Sequence, residues 1–385
     1  MSGKKEQSEV RETLLKYRDD LQGLREILYA NVVMAAEIPA PTGAEGLLTR
    51  FLSDRFTESG LNDIAFDQAG NIAAVLPGKS PRRNLLLAAH VDKVWPESED
   101  HTVSVGVGKM MARGIADNGL GVAALATLPI VLEHLQFKLD ANLILLGTTK
   151  SFGRGNLGGM RFFLENTDRE FEGALCLEGM NLGRLSFASL GMTRGEIEVN
   201  ANQSNPGVIA TIQKILGALV ELEKSSLPAV DLLIGSVDAG SGYNLAPSSG
   251  RICFEVRSEK AARVKAVEEK ILSLVEEFAG ECEGIEARVE IIARRTPGNM
   301  GESHPLVQYA RASMESLGIE VREEPSISEL AALLTHEIPA LTLGLTRGQH
   351  RHSPKETIEL EPLFDGLAHL IGVLQHMDEN GPTSF

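Results

Sequence analysis

Residues 85–121 read LLLAAHVDKVWPESEDHTVSVGVGKMMARGIADNGLG, and the expected architecture grows outward from them. An apolar run ends in His90-Val91-Asp92, a polar loop follows, and Gly114-Ile115-Ala116-Asp117-Asn118-Gly119 turns into a second apolar run. The first run has the character of a buried strand, the second that of a helix starting near Asn118. Side chains alternate across a strand, so if it persists through Asp92, His90 and Asp92 point the same way at its carboxyl end. Open α/β sheets bind their ligands at that end. A carboxylate beside a histidine fixes its tautomer and orients the ring for a metal, and these two residues have the spacing for that. Asp117 suits a ligand role and equally a helix cap, because the exposed amides at a helix start favour a carboxylate.

On the amino-terminal side, Leu14, Leu15, Leu21, Leu24, Ile27 and Leu28 recur at helical spacing, predicting a helix over Val10–Glu37. The run Ile38-Pro39-Ala40-Pro41-Thr42-Gly43 stops it, and a second helical pattern reaches about Phe56. Short strands are expected between Asn62 and Val75, about the Gly70-Asn71 turn. Beyond the opening stretch come a helix over Gly119–His134, a buried strand over Asn142–Gly147, and an apolar segment, Ala174–Leu177, ending in Glu178. Strands alternating with helices predict an α/β sheet with partly parallel order.

From about Met192 the pattern changes. Strands are expected at Gly195–Asn200, Asp231–Val237, Gly250–Arg257 and Ala287–Arg294, with helices at Pro206–Lys224 and Glu259–Glu281. Two helices on a small, mostly antiparallel sheet make an α+β domain. Pro297, Gly298 and Gly301 mark the return. A helix over Pro305–Leu317, a short strand over Ile319–Arg322, a strand over Ala340–Gly344 and a final helix over Leu360–Met377 complete the chain. The domain reading is therefore 1–191, 192–297 and 298–385, the first and last parts forming one α/β domain.

LLLAAHVDKV and ARGIADNGLGVAAL resemble the first two metal motifs of the M20 family of co-catalytic zinc peptidases and deacylases, and HSPKE near the other end resembles its last metal-histidine segment. The resemblance runs over almost the whole chain. It implies a zinc-peptidase-like mixed sheet with flanking helices, interrupted by a smaller ferredoxin-like α+β dimerisation domain. It further implies metal ligands at His90, Asp117 as the bridge, Glu178 and His352, with Asp92 orienting His90 and His350 left solvated. AGSGYNLAPSSGRICFEVRS is similar to the family segment that carries Asn244 and Arg257 toward the substrate, although Arg257 equally suits an ion pair with Glu255 or Glu259. Glu329 falls near a family aspartate.

Two departures stand out. The family places two consecutive glutamates, a general base and a metal ligand, where this chain has Lys150 and Ser151, and no Asp or Glu lies between Asp140 and Glu165. The lid segment Asn202-Gln203-Ser204-Asn205-Pro206 lacks the family's histidine. A positioned proton acceptor is worth ~10²–10⁴-fold in rate, so its loss bears on activity. At most one tightly held metal is expected, zinc or another divalent ion such as manganese or cobalt, with the second site weak or empty. A rival reading comes from Gly153-Arg154-Gly155-Asn156-Leu157-Gly158, which is formally G-x-G-x-x-G, with Glu178 downstream. Several residues separate it from the preceding strand, whereas a phosphate turn follows its strand closely.

Composition sets the outer bounds. The 385 residues, 43% hydrophobic, suffice for two domains, and a net charge of −16 argues against nucleic-acid or anionic-membrane partners. No secretory signal is read at the start, no run reaches the length of a membrane span, and three scattered cysteines fit a reducing cytoplasm. The expected function is hydrolysis of an amide bond in a small peptide or N-acyl amino acid by a homodimeric protein. The alternative is an inactive relative that binds an amino-acid-like or peptide ligand.

Overall fold

The run Leu85–His90 lies within a strand near the middle of an eight-stranded mixed sheet. The computed structural model describes residues 2–226 and 228–381, which divide into one unit over Ser189–Gly298 and a larger one on either side of it in the chain.

In the larger unit the sheet strands are β1 (Ile64–Phe66), β2 (Ile72–Leu76), β3 (Ser80–His90), β4 (Ala141–Thr148), β5 (Gly173–Glu178), β6 (Arg184–Ser186), β7 (Arg322–Glu323) and β8 (Ala340–Gly344). They lie side by side in the order β1-β2-β4-β3-β5-β8-β6-β7. The four central strands β4, β3, β5 and β8 are parallel, while β2 joins β4 antiparallel and β6 joins β8 antiparallel. Every residue of β4 and β5 is buried. Burial on both faces explains why these strands read as continuous apolar runs.

The helices are α1 (Ser2–Leu21), α2 (Arg25–Glu37), α3 (Gly46–Glu58), α4 (Leu120–His134), α5 (Gly158–Asn166), α6 (Pro305–Ser316), α7 (Leu330–Thr335) and α8 (Pro362–Asn380). Alternation along β3 sends Leu85, Leu87 and Ala89 into a core shared with α2, α3, α4 and α8. Leu86 and Ala88 enter the opposite core, with Met160 and Leu164 of α5 and Leu330, Leu333 and Leu334 of α7. Both faces of the sheet are thus covered.

Two expectations need correction. Ile115–His134 does have the length and mean hydropathy, 1.6, of a membrane span, but 94% of that window is buried because α4 is the core helix. After α6 the strand begins only at Arg322, since Leu317, Gly318 and Ile319 bond back to the helix.

In the smaller unit the strands Asp231–Ala239, Ser249–Ser258, Gly191–Ala201 and Ile285–Arg295 lie in that order, all antiparallel. Ile197, Val199, Ile252 and Phe254 pack against the helices Gly207–Ser226 and Ala261–Ala279 through Ile212, Ile215, Leu219, Val267 and Ile271.

Candidate metal centre

The register pairs His90 with Thr148 across β3 and β4, and Gly344 with Glu178 across β8 and β5, so the carboxyl ends of the central strands finish on one edge. Here β3 has the later strand β4 on one side and β5 on the other, the reversal of order at which such sheets open a crevice.

Asp117 reaches that edge from the opposite direction. Helix α4 starts at Leu120, not near Asn118, because Asp117 and Asn118 have non-helical backbone angles and the peptide between them is cis. The Asn118 side chain clamps this turn to the end of β5, its Nδ2 donating to the Leu177 carbonyl and its Oδ1 accepting from the Gly179 amide, each at 2.9 Å. A Cβ at residue 121 would stand 2.2 Å from Asn118 Oδ1, so only glycine leaves room for that clamp. The Asp117 carboxylate caps no helix; it faces His90 and His352.

Asp117 is 1% exposed, and its two oxygens look different ways. Oδ1 lies 3.0 Å from His90 Nε2, while Oδ2 accepts from Arg351 Nε at 2.6 Å and lies 2.7 Å from His352 Nε2. The other ring nitrogen of His90, Nδ1, is 3.2 Å from the Asp92 carbonyl and 3.5 Å from Asp92 Oδ1. Asp92 Oδ2 accepts from Thr42 Oγ1 and the amides of Ser151 and Phe152, at 2.8, 2.8 and 2.9 Å. Burial pulls the His90 imidazolium down, yet hydrogen bonds from Asp117 and Asp92 outweigh it and hold its pKa well above the ordinary value. Burial pushes the Asp117 carboxyl up, and His352, His90 and Arg351 together drive it well below the carboxylate range.

His90, Asp117 and Glu178, all buried, offer ligand atoms within 4.8 Å of one another. Asp117 Oδ1 is buried without a hydrogen bond, facing a ring nitrogen and a second carboxylate. Donors sharing an ion at ~2.0–2.2 Å sit roughly 3 Å apart, so this set fits a small divalent cation. Such an ion would displace the His90 proton, since a ligating histidine is neutral.

The second position fits poorly. Asp117 Oδ2 already holds Arg351 and His352, and the Ser151 hydroxyl is given to Glu329. The Lys150 amide donates to Glu45 Oε1 at 2.9 Å and its backbone has a positive φ, 56°, while its side chain is half-buried. Phe152 presents its ring edge-on between the two imidazoles, 5.0 Å from His90 and 6.1 Å from His352.

Several residues that the sequence left without a role support this constellation. Glu356, fully buried, accepts the amides of Ala116 (2.6 Å) and Asp117 (2.9 Å) on one oxygen and that of His352 (3.0 Å) on the other. Burial pushes its carboxyl up despite those amides. Its signal was its place four positions beyond His352, within the quoted HSPKE. Glu329, 2% exposed, bonds Ser151 Oγ and accepts from Thr148 Oγ1 at 3.3 Å; burial raises its carboxyl pKa, against the nearby His90 charge. Lys93, also buried, donates to the carbonyls of Ala35, Ala36 and Ile38, each at 2.8 Å, tying the end of α2 to the segment after His90. Burial brings its ammonium down to about 7. Arg351 carried no sequence signal beyond adjacency to His352. His350, as expected, is exposed.

Asn244 and Arg257 belong to the smaller unit. Arg257 hydrogen-bonds Glu255 and lies 3.9 Å from Asp231, and Asn244 is exposed. The dinucleotide reading fails locally: the amides of Gly155, Leu157, Gly158 and Gly159 bond back to Phe152, Ser151, Lys150 and Thr149, so the turn closes on itself instead of presenting them to a phosphate.

A model described as peptidase family M20/M25/M40 matches residues 86–376. The structure of a tripeptidase from Staphylococcus aureus superposes with a TM-score of 0.72 at 17% identity, covering 92% of this chain and 99% of that one. The dipeptidase Dug1p from Saccharomyces cerevisiae gives 0.79 at 13% identity, with 95% and 98% covered. A Bacillus subtilis protein described as a dinuclear metal-binding M20 peptidase gives 0.64 at 16%, with 93% and 99% covered. At such identities the likeness is one of fold. No curated protein sequence matches the chain.

Proposed function

The chain belongs to peptidase family M20/M25/M40, and from that premise we propose that it is a metallohydrolase cleaving an amide bond in a small peptide or N-acyl amino acid, with one metal ion, zinc foremost, held by His90, Asp117 and Glu178. The observation that carries the reading is the buried ligand set with Asp117 Oδ1 unbonded at its centre. When bound, a divalent ion there supplies Lewis acidity toward a carbonyl and a water molecule.

The chain's own groups do the rest. Asp92 orients His90, and Glu356 holds the Asp117 turn and His352 in place. Glu329 stands in for the missing glutamate as proton acceptor: it touches Ser151 at the vacated position, and its raised pKa lies toward the range a general base needs. Lys150 takes no catalytic part in this reading. Ser151 orients Glu329 rather than ligating a metal, and His352 orders Asp117. Asn244 and Arg257, on a domain that dimerises, are the substrate contacts. A cytoplasmic setting accords with three free cysteines.

A second reading, binding of a peptide or amino-acid-like ligand without turnover, is favoured by Lys150 and Ser151 replacing two carboxylates and by the Phe152 ring between the imidazoles. One experiment separates the two. Dipeptides and N-acyl amino acids are offered to zinc-loaded protein, with turnover followed by amine release and affinity by calorimetry. Turnover that disappears in Asp117→Ala supports the hydrolase; affinity without turnover supports the binding protein.

A further inference from the structure

We propose that Arg351 is a built-in cation that takes the place of a second metal ion on Asp117, so that the site is mononuclear by construction. The inference rests on the metal reading above and extends it to the half of the site where the ligands do not fit.

Arg351 grips Asp117 Oδ2 through both Nε, at 2.6 Å, and a terminal nitrogen, at 2.5 Å; the same nitrogen lies 3.8 Å from Glu178 Oε2. A guanidinium stays charged at any physiological pH, and its planar fork suits a carboxylate oxygen better than a point charge does. It is therefore a permanent positive charge on the oxygen that a bridging aspartate would give to a second ion. His352 Nε2 shares that oxygen at 2.7 Å. An ion placed there would need Oδ2, His352 and at least one further ligand. Ser151 is the residue at the position that would supply it, and its hydroxyl is engaged with Glu329. Loss of a carboxylate at 151 and gain of a cation at 351 are matched changes: each leaves Asp117 compensated with one fewer dication nearby. A dication beside the guanidinium would meet direct repulsion, strengthened by the burial of Asp117.

The test is zinc stoichiometry and thermal stability in chelator-treated, refilled protein, for wild type, Arg351→Met and Arg351→Lys. Wild type and Arg351→Lys should each take up a single tight equivalent. Arg351→Met should take up two, return to one when His352→Ala is added, and melt lower than wild type in chelator because Asp117 has lost its counter-charge. Two tight equivalents in wild type or in Arg351→Lys would overturn the proposal while leaving the metal reading intact, as would a single unchanged equivalent in Arg351→Met. No uptake in any of the three would overturn both.

Discussion

Glu356 and Asp117 stand 239 positions apart in the chain, and one carboxylate oxygen of Glu356 accepts the Asp117 amide at 2.9 Å. The same oxygen accepts the Ala116 amide, and its twin accepts that of His352. One buried side chain therefore sets the backbone on both sides of Asp117 Oδ2. In Glu356→Ala these amides lose their acceptor inside the protein, a cost of about 1–3 kcal/mol for an unsatisfied buried group. Urea unfolding should show a loss of that order, and zinc affinity should fall by roughly 10–100-fold, as when a supporting partner of a metal ligand is removed. Unchanged affinity would show that the Asp117 turn holds itself.

Metal content should separate the two halves of the site. Elemental analysis of protein purified without chelator should find one metal per chain in wild type and in His352→Ala, and none in Glu178→Ala. The asymmetry follows from geometry: Glu178 belongs to the buried ligand set, whereas His352 lies on the oxygen that Arg351 holds. Loss of the metal in His352→Ala would place the ion on the wrong oxygen in our description.

Glu329→Gln keeps an acceptor for Ser151 but cannot take a proton. Turnover should drop by ~10²–10⁴-fold with metal content unaltered, while Lys150→Ala stays within about threefold of wild type. The reverse pattern, with Lys150→Ala the inactive variant, would move the proton-accepting task to Lys150.

His369 provides a pH prediction remote from the centre. It is fully buried on α8, its Nδ1 lies 2.9 Å from Ser313 Oγ, and burial brings its pKa down from 6.5 to about 4. The folded state therefore holds it neutral, and the unfolded chain binds the proton more readily. The associated stability is complete above the unfolded value and is lost as pH falls from 6.5 toward 4, amounting to about 3 kcal/mol. Chemical denaturation at pH 7 and pH 4 should show a loss smaller by about that amount in His369→Gln. Equal losses in both proteins would assign the acid sensitivity to other groups.

Much of the larger unit was legible because its central strands are buried on both faces and its helices carry apolar stripes, patterns that survive projection onto a line. The ligand candidates His90, Asp117 and Glu178 were legible too, since each ends or begins an apolar segment and two of them lie within motifs. The start of α4 was misplaced because Asn118 spends its side chain on Leu177 and Gly179, partners invisible in its own neighbourhood. Reading Ser151 as a doubtful ligand missed where its hydroxyl goes, because Glu329 lies 178 positions away and reaches it from the residue before α7.

By itself, the sequence determined the layered α/β scaffold, the second α+β unit and the absence of a carboxylate pair at 150–151, since each is written in local residue order and period. The tertiary structure alone decided what surrounds that gap: Glu329 beside Ser151, Arg351 on Asp117 and Glu356 beneath both. The physical reason is that charge compensation in a buried site acts through space over a few ångströms. Such a site accepts a carboxylate or a cation from any element that ends there, wherever in the chain that element lies.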